Sequence, residues 1–129
     1  MLGRTNKHWW GVVIDAPEPL ALARFYADLM DWKIVRDDPD FVGIAPMGDH
    51  VEYFAFQRSA EYVPPVWPPQ AGKQQMMAHL DIEVPDLDAA EAEAVRAGAR
   101  VADFQPQDSV RVMLDPAGHP FCLYVDTSV

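Results

Sequence analysis

Cysteine occurs once in 129 residues, as Cys122. A lone cysteine cannot close an intrachain disulfide, so nothing in the cysteine usage calls for an oxidising compartment, and the cytoplasm is the expected location. Positive charge is scarce as well: 10 lysines and arginines stand against 20 aspartates and glutamates, for a formal net charge of -10. That balance opposes nucleic acid and anionic membrane as partners, since both select basic surfaces. It suits a neutral or cationic ligand. No apolar stretch approaches the roughly 18 residues of a membrane-spanning helix. The run from Trp9 to Ile14 ends at Asp15 and no signal-peptide cleavage pattern follows it. A phosphate-cradling glycine loop, a paired CxxC and a Ser-His-Asp motif are all missing.

What is present is apolar enough to fold. At 50% hydrophobic, residues 1–129 have the size of one ordinary domain and can bury a core without covalent staples. Two stretches superpose without a gap: GVVIDAPEPLALARFY, residues 11–26, and HLDIEVPDLDAAEAEA, residues 79–94. Each reads as an alternating strand, a proline, an acidic residue and an amphipathic helix, which marks an internal repeat. In the first copy Leu22, Phe25, Tyr26, Leu29 and Met30 recur at helical spacing, and Pro19 suits a first turn. In the second, Asp86 is a good N-cap, Leu87, Ala90, Ala94 and Val95 form a thin apolar stripe, and Gly98 ends the helix. Three strand-like segments follow each helix: WKIVRD, FVGIAPM and HVEYFAFQR, then ARVADF, SVRVMLD and HPFCLYVD. Each half is therefore β-α-β-β-β, over about residues 9–58 and 76–126, with the proline-rich residues 59–75 as the connection. The expected class is α+β, one domain whose two modules form a curved mixed sheet around a cleft.

The strand faces carry the functional expectation. In HLDIEV, Leu80, Ile82 and Val84 fall on one side and His79, Asp81 and Glu83 on the other. The same alternation sets Val112 and Leu114 against Arg111 and Met113, and Phe121 and Leu123 against Cys122 and Tyr124. With Phe54 and Phe56 taken as the helix-packing pair, Gly11, Val13, Asp15, Ala55 and Gln57 form the corresponding face of the first half. Burying such polar groups unpartnered would cost about 1 to 3 kcal/mol each, which a water-filled or ligand-filled cavity avoids. The expected ligand-binding residues are therefore Asp15, Gln57, His79, Asp81, Arg111, Cys122 and Tyr124, with Trp9 or Trp67 near the mouth. The expected partner is a small organic molecule.

The duplicated unit, the acidic residue before LDAAEAEAVRAGA, and above all LDPAGHPFCLY resemble the vicinal oxygen chelate superfamily, in its glyoxalase-like branch of glyoxalase, bleomycin resistance and dioxygenase types. The resemblance spans about residues 9–126 and implies a fold more than a reaction, because members include enzymes and non-catalytic binders. It also implies a homodimer. Metal-using members resemble one another in four ligand positions, one on the first and one on the last strand of each half. Those positions here are Gly11, His79, Cys122 and Ala55; a shifted register would put Glu52 in place of Ala55, so that His79, Glu52 and Cys122 would be the ligand set if a metal is present. Gly11 departs from the pattern in either register, so no metal and no cofactor is favoured, although a divalent metal stays open.

The residues themselves leave alternatives. Cys122 can be a nucleophile, a ligand or inert packing, and His79 a ligand or a hydrogen-bonded cavity histidine. Asp81, Glu83 and Arg111 can form an internal salt bridge or a substrate clamp. His8, His50 and His119 are expected near strand ends, His8 and His119 exposed. Two functions follow from these alternatives. One is a metal-free binding protein for a small molecule. The other is a divalent-metal lyase, isomerase or dioxygenase in which Glu52 or Asp81 moves a proton.

Overall fold

Pro19 stands in the first turn of helix α1, Pro19–Met30, where its missing N–H costs nothing. The helix stops at Asp31, which takes a left-handed conformation with φ of 55°. Its buried stripe is Leu22, Ala23, Phe25 and Tyr26, at the spacing the sequence predicts. The Tyr26 ring stacks on Phe56 at 5.6 Å and meets Phe54 edge-on at 5.2 Å, so both phenylalanines face the helix as expected. The strands of this half are β1 (Trp10–Ala16), β2 (Lys33–Asp38), β3 (Phe41–Ala45) and β4 (Glu52–Arg58). They form one sheet in the order β1-β4-β3-β2, with β1 and β4 parallel and the other pairs antiparallel.

The second half repeats the plan. Strand β5 (Asp81–Glu83) leads into helix α2 (Leu87–Ala97), followed by β6 (Arg100–Val101), β7 (Val110–Leu114) and β8 (Pro120–Tyr124). The sheet order is β5-β8-β7-β6, again with one parallel pair, β5 with β8. Asp86 caps α2 by accepting the Ala89 N–H at 2.9 Å, and Gly98 closes it at φ of 125°. Of the expected apolar stripe, Ala94 is fully buried but Val95 is 46% exposed, because β-strand cover reaches only one side of so thin a helix.

The computed structural model describes residues 1–127 and divides into two compact units, Met1–Tyr62 and Val63–Val129. The architecture is thus α+β, two four-stranded mixed sheets with one helix each. The division falls inside the proline-rich connection, which holds neither helix nor strand. Trp67 lies in that connection; its Nε1 donates to the Phe104 carbonyl at 3.0 Å and its ring meets Phe104 at 6.1 Å. Among the described residues no helix is long and apolar enough to cross a membrane.

The strand register corrects one expectation. Residues paired across a sheet share a face, and β7 pairs with β8 as Arg111 with Leu123, Val112 with Cys122, and Met113 with Phe121. Arg111 and Met113 therefore lie on the helix side, opposite Cys122. The Arg111 guanidinium pairs there with Glu91 and Asp88 of α2 rather than with Asp81 or Glu83. The apolar residues on both faces of VRVML hid the phase, and the side chain reaches the helix because its long stem can lie along apolar surface. His119 also departs from expectation. Only 15% of its side chain is exposed, and Nδ1 pairs at 2.8 Å with Asp115, whose own side chain is fully buried.

Candidate functional site

Four of the expected residues come together in the second unit. His79, Asp81, Cys122 and Tyr124 line a depression of about 320 Å³, joined by Gln107 and Ser109 from the segment leading into β7. The alternation of β5 and β8 explains this. Asp81 is paired with Cys122 and Glu83 with Tyr124, so the polar side chains of both strands emerge together while Ile82 and Leu123 turn to the helix. Gln107 and Ser109 were not foreseen, since the loop carrying them has no periodicity that would aim a side chain.

The chemistry centres on Asp81. His79 Nε2 lies 3.2 Å from Asp81 Oδ1, and the Cys122 thiol also bonds to that carboxylate. Burial pushes the Cys122 thiol above its ordinary pKa, and the negative charge of Asp81 and its hydrogen bond push it further. Cys122 is accordingly a protonated, free thiol that donates to a carboxylate, the opposite of the electropositive setting that activates a nucleophile. One donor atom from each of His79, Asp81 and Cys122 lies within 4.8 Å of the others. These three are a candidate ligand set for a divalent ion, with Asp81 where the sequence had offered Glu52.

The first unit keeps Asp15 and Gln57 together, paired across β1 and β4 and both exposed. Its register also settles the counterpart of Cys122. Val13 corresponds to Asp81 in the repeat, and Val13 pairs with Ala55 as Asp81 pairs with Cys122. Ala55 is the counterpart, and it is fully buried. Glu52 pairs with Trp10 instead. Its carboxyl is held below the usual range by its own backbone N–H and that of Val51, with His50 Nδ1 at 3.0 Å adding to both. Gly11, the remaining position, is roofed by the side chain of Tyr53.

Comparison with known proteins agrees with this fold. The model of a family described as a glyoxalase-like domain matches residues 11–124. No curated protein matches the sequence. Among solved structures, an enzyme of the glyoxalase/bleomycin resistance protein/dioxygenase family from Burkholderia phytofirmans is similar with a TM-score of 0.66 and 16% identity, covering 89% of this chain and 95% of its own. A glyoxalase family protein from Enterococcus faecalis gives 0.62 at 19% identity, over 96% of this chain and 99% of its own. A fosfomycin resistance protein from Mesorhizobium loti gives 0.62 at 14% identity, over 99% and 95%. Likeness at such identity concerns the fold.

Proposed function

The chain belongs to the glyoxalase-like domain family, and on that footing we propose that it binds a small polar organic molecule in the depression of its second unit, without a resident metal ion. The observation that carries this reading is the sharing of Asp81 by His79 and Cys122. The carboxylate already has the His79 imidazole at 3.2 Å and the Cys122 thiol against it, partners with which a cation would have to compete. Two of the four positions that metal-using relatives fill, Gly11 and Ala55, offer no donor atom here. With Asp81 accepting and Tyr124, Ser109 and Gln107 around it, the depression suits a ligand that presents N–H groups, an amine above all. In the same reading the protein works as a homodimer in the cytoplasm.

The test is a thermal-shift screen of small amines on chelator-treated protein. A hit should stabilise the native chain, and Asp81→Asn and Tyr124→Phe should each weaken that stabilisation while leaving the unliganded midpoint nearly unchanged. Metal analysis that finds a full equivalent of a divalent ion in the purified protein, lost in His79→Ala, would overturn the reading.

A second reading is favoured by one distance, the mutual approach of three donor atoms within 4.8 Å. An imidazole, a carboxylate and a thiolate fit zinc or a similar divalent ion with a position left open. When bound, such an ion supplies Lewis acidity toward adjacent substrate oxygens. In this reading His79, Asp81 and Cys122 would hold the ion, Cys122 as a thiolate, and Tyr124 would line the depression beside them. The chain would then be a lyase, isomerase or dioxygenase.

A further inference from the structure

Strand β2 breaks register against β3 between Ile34 and Arg36, so that Val35 and Arg36 together oppose the single residue Gly43. A bulge of this kind turns consecutive side chains toward one side of the sheet and re-aims them. Both side chains do reach Gly43's face: a Cβ built on Gly43 would have Arg36 Cβ at 3.8 Å and Val35 Cγ2 at 3.9 Å, beside Ala55 Cβ at 3.9 Å. All three are ordinary contacts. Gly43 does not have a positive φ either, so neither backbone nor packing requires glycine there. Glycine inside a strand weakens it and commonly marks a close approach by a ligand.

The missing side chain opens a cavity of about 270 Å³ over a floor of Gly43. Its walls are aromatic. Trp9 and Tyr53 stand on one side with ring centroids 6.3 Å apart, and Phe41 on the other lies beneath the Arg36 guanidinium at 5.2 Å. Trp9 and Val35 remain 52% and 42% exposed, a large apolar area left to water. Since an apolar cavity of roughly 150 Å³ accepts benzene, this one has room for a bicyclic ring. Among the described residues Arg36 is the one charged residue of the lining. Asp38 holds its Nε at 2.6 Å and so fixes the plane of the guanidinium. Among the described residues its terminal nitrogens have no hydrogen-bond partner, which leaves one edge of the fork turned to receive an anion.

We propose that the first unit carries a slot for a planar aromatic carboxylate, with the ring between Trp9, Tyr53 and Phe41 over Gly43 and the carboxylate on Arg36. The slot lies wholly within the first unit and is independent of the amine site proposed for the second. The probes are 2-naphthoate and its neutral isostere 2-naphthamide, titrated into the full chain by calorimetry, with the Trp9 indole N–H followed by NMR. The naphthoate should bind and shift that resonance, and the amide should bind about tenfold more weakly, the factor a charged hydrogen bond supplies. Arg36→Gln should bring naphthoate down to the level of the amide. Gly43→Val should weaken both probes by about tenfold or more by filling the floor, as expected for lost complementarity. If that variant does not fold, Trp9→Ala, an exposed change, should weaken both instead. Equal affinity for the two probes, a naphthoate Kd weaker than roughly 1 mM, or binding indifferent to the Gly43 and Trp9 changes overturns the assignment.

Discussion

The ring of Tyr53 covers Gly11 so closely that a Cβ on Gly11 would stand 2.5 Å from it, and 2.5 Å from the Tyr53 carbonyl oxygen. Two different atoms therefore exclude a side chain at a position that the sequence resemblance matches to a ligand of metal-using relatives. The ring is the end of a movable side chain, whereas the carbonyl belongs to the strand that pairs with β1.

Gly11→Ala should accordingly destabilise the chain by about 1 to 3 kcal/mol, the usual cost of overpacking. Adding Tyr53→Ala removes the ring and leaves the carbonyl, so the double variant should recover only part of the loss. Urea denaturation of the two variants checks this. Full recovery would mean that the ring alone occupies the site and that the backbone could admit a ligand there.

Arg111 offers a test of face. Its side chain is 24% exposed and pairs with Glu91, itself 28% exposed, and with the open Asp88. Arg111→Met keeps the stem and strands Glu91, for a loss of about 1 kcal/mol given partial solvent access. Binding of any amine in the second-unit depression should be unchanged, because the residue points to the helix. A ligand-specific loss with unaltered stability would return Arg111 to the site.

Asp81 and Arg111 mark where sequence reading succeeds and fails. HLDIEV alternates polar and apolar without exception, and a strict period of two fixed both the strand and the face on which His79 and Asp81 emerge. The helices were legible because their stops are chemical: Asp86 as a cap, Gly98 as a terminator, Pro19 at a first turn. VRVML has apolar residues on both faces, so its phase rests on the partner strand, and only the pairing of Val112 with Cys122 decides it. Acidic Asp88 and Glu91, three apart on α2, were the available hint that a cation must meet them. The β2 bulge and the loop bearing Gln107 and Ser109 left no periodic trace, since both are breaks in periodicity.

Asp115 should be a stability residue of the second unit. Its buried carboxylate accepts the backbone N–H groups of Ala117 and His119, at 2.9 and 3.0 Å, together with His119 Nδ1. Asp115→Ala leaves those donors unsatisfied in a closed turn, a loss of about 1 to 3 kcal/mol. Asp115→Asn keeps an acceptor and should lose less. Equal losses in the two variants, read by thermal or urea unfolding, would show that shape rather than hydrogen bonding holds the turn.

The last prediction concerns Cys122, whose thiol is raised by burial first and by Asp81 second. Alkylation requires the thiolate, so iodoacetamide should label Cys122 more slowly than an unstructured cysteine at neutral pH. Labelling should accelerate only as pH climbs past the ordinary thiol range. Asp81→Asn removes the charge and leaves the burial, which should lower the pKa part of the way and speed labelling at a given pH. The same shift has a consequence for stability. A group whose folded pKa lies above its unfolded value binds more protons in the native state, so its contribution is complete below the unfolded value and is lost as pH rises through the folded one. Native stability should therefore decline at alkaline pH in the wild-type chain, and Cys122→Ala should flatten that part of the decline. Rapid labelling at neutral pH, or faster labelling that Asp81→Asn slows, would reverse the sign of the Asp81 effect and make Cys122 an activated thiolate.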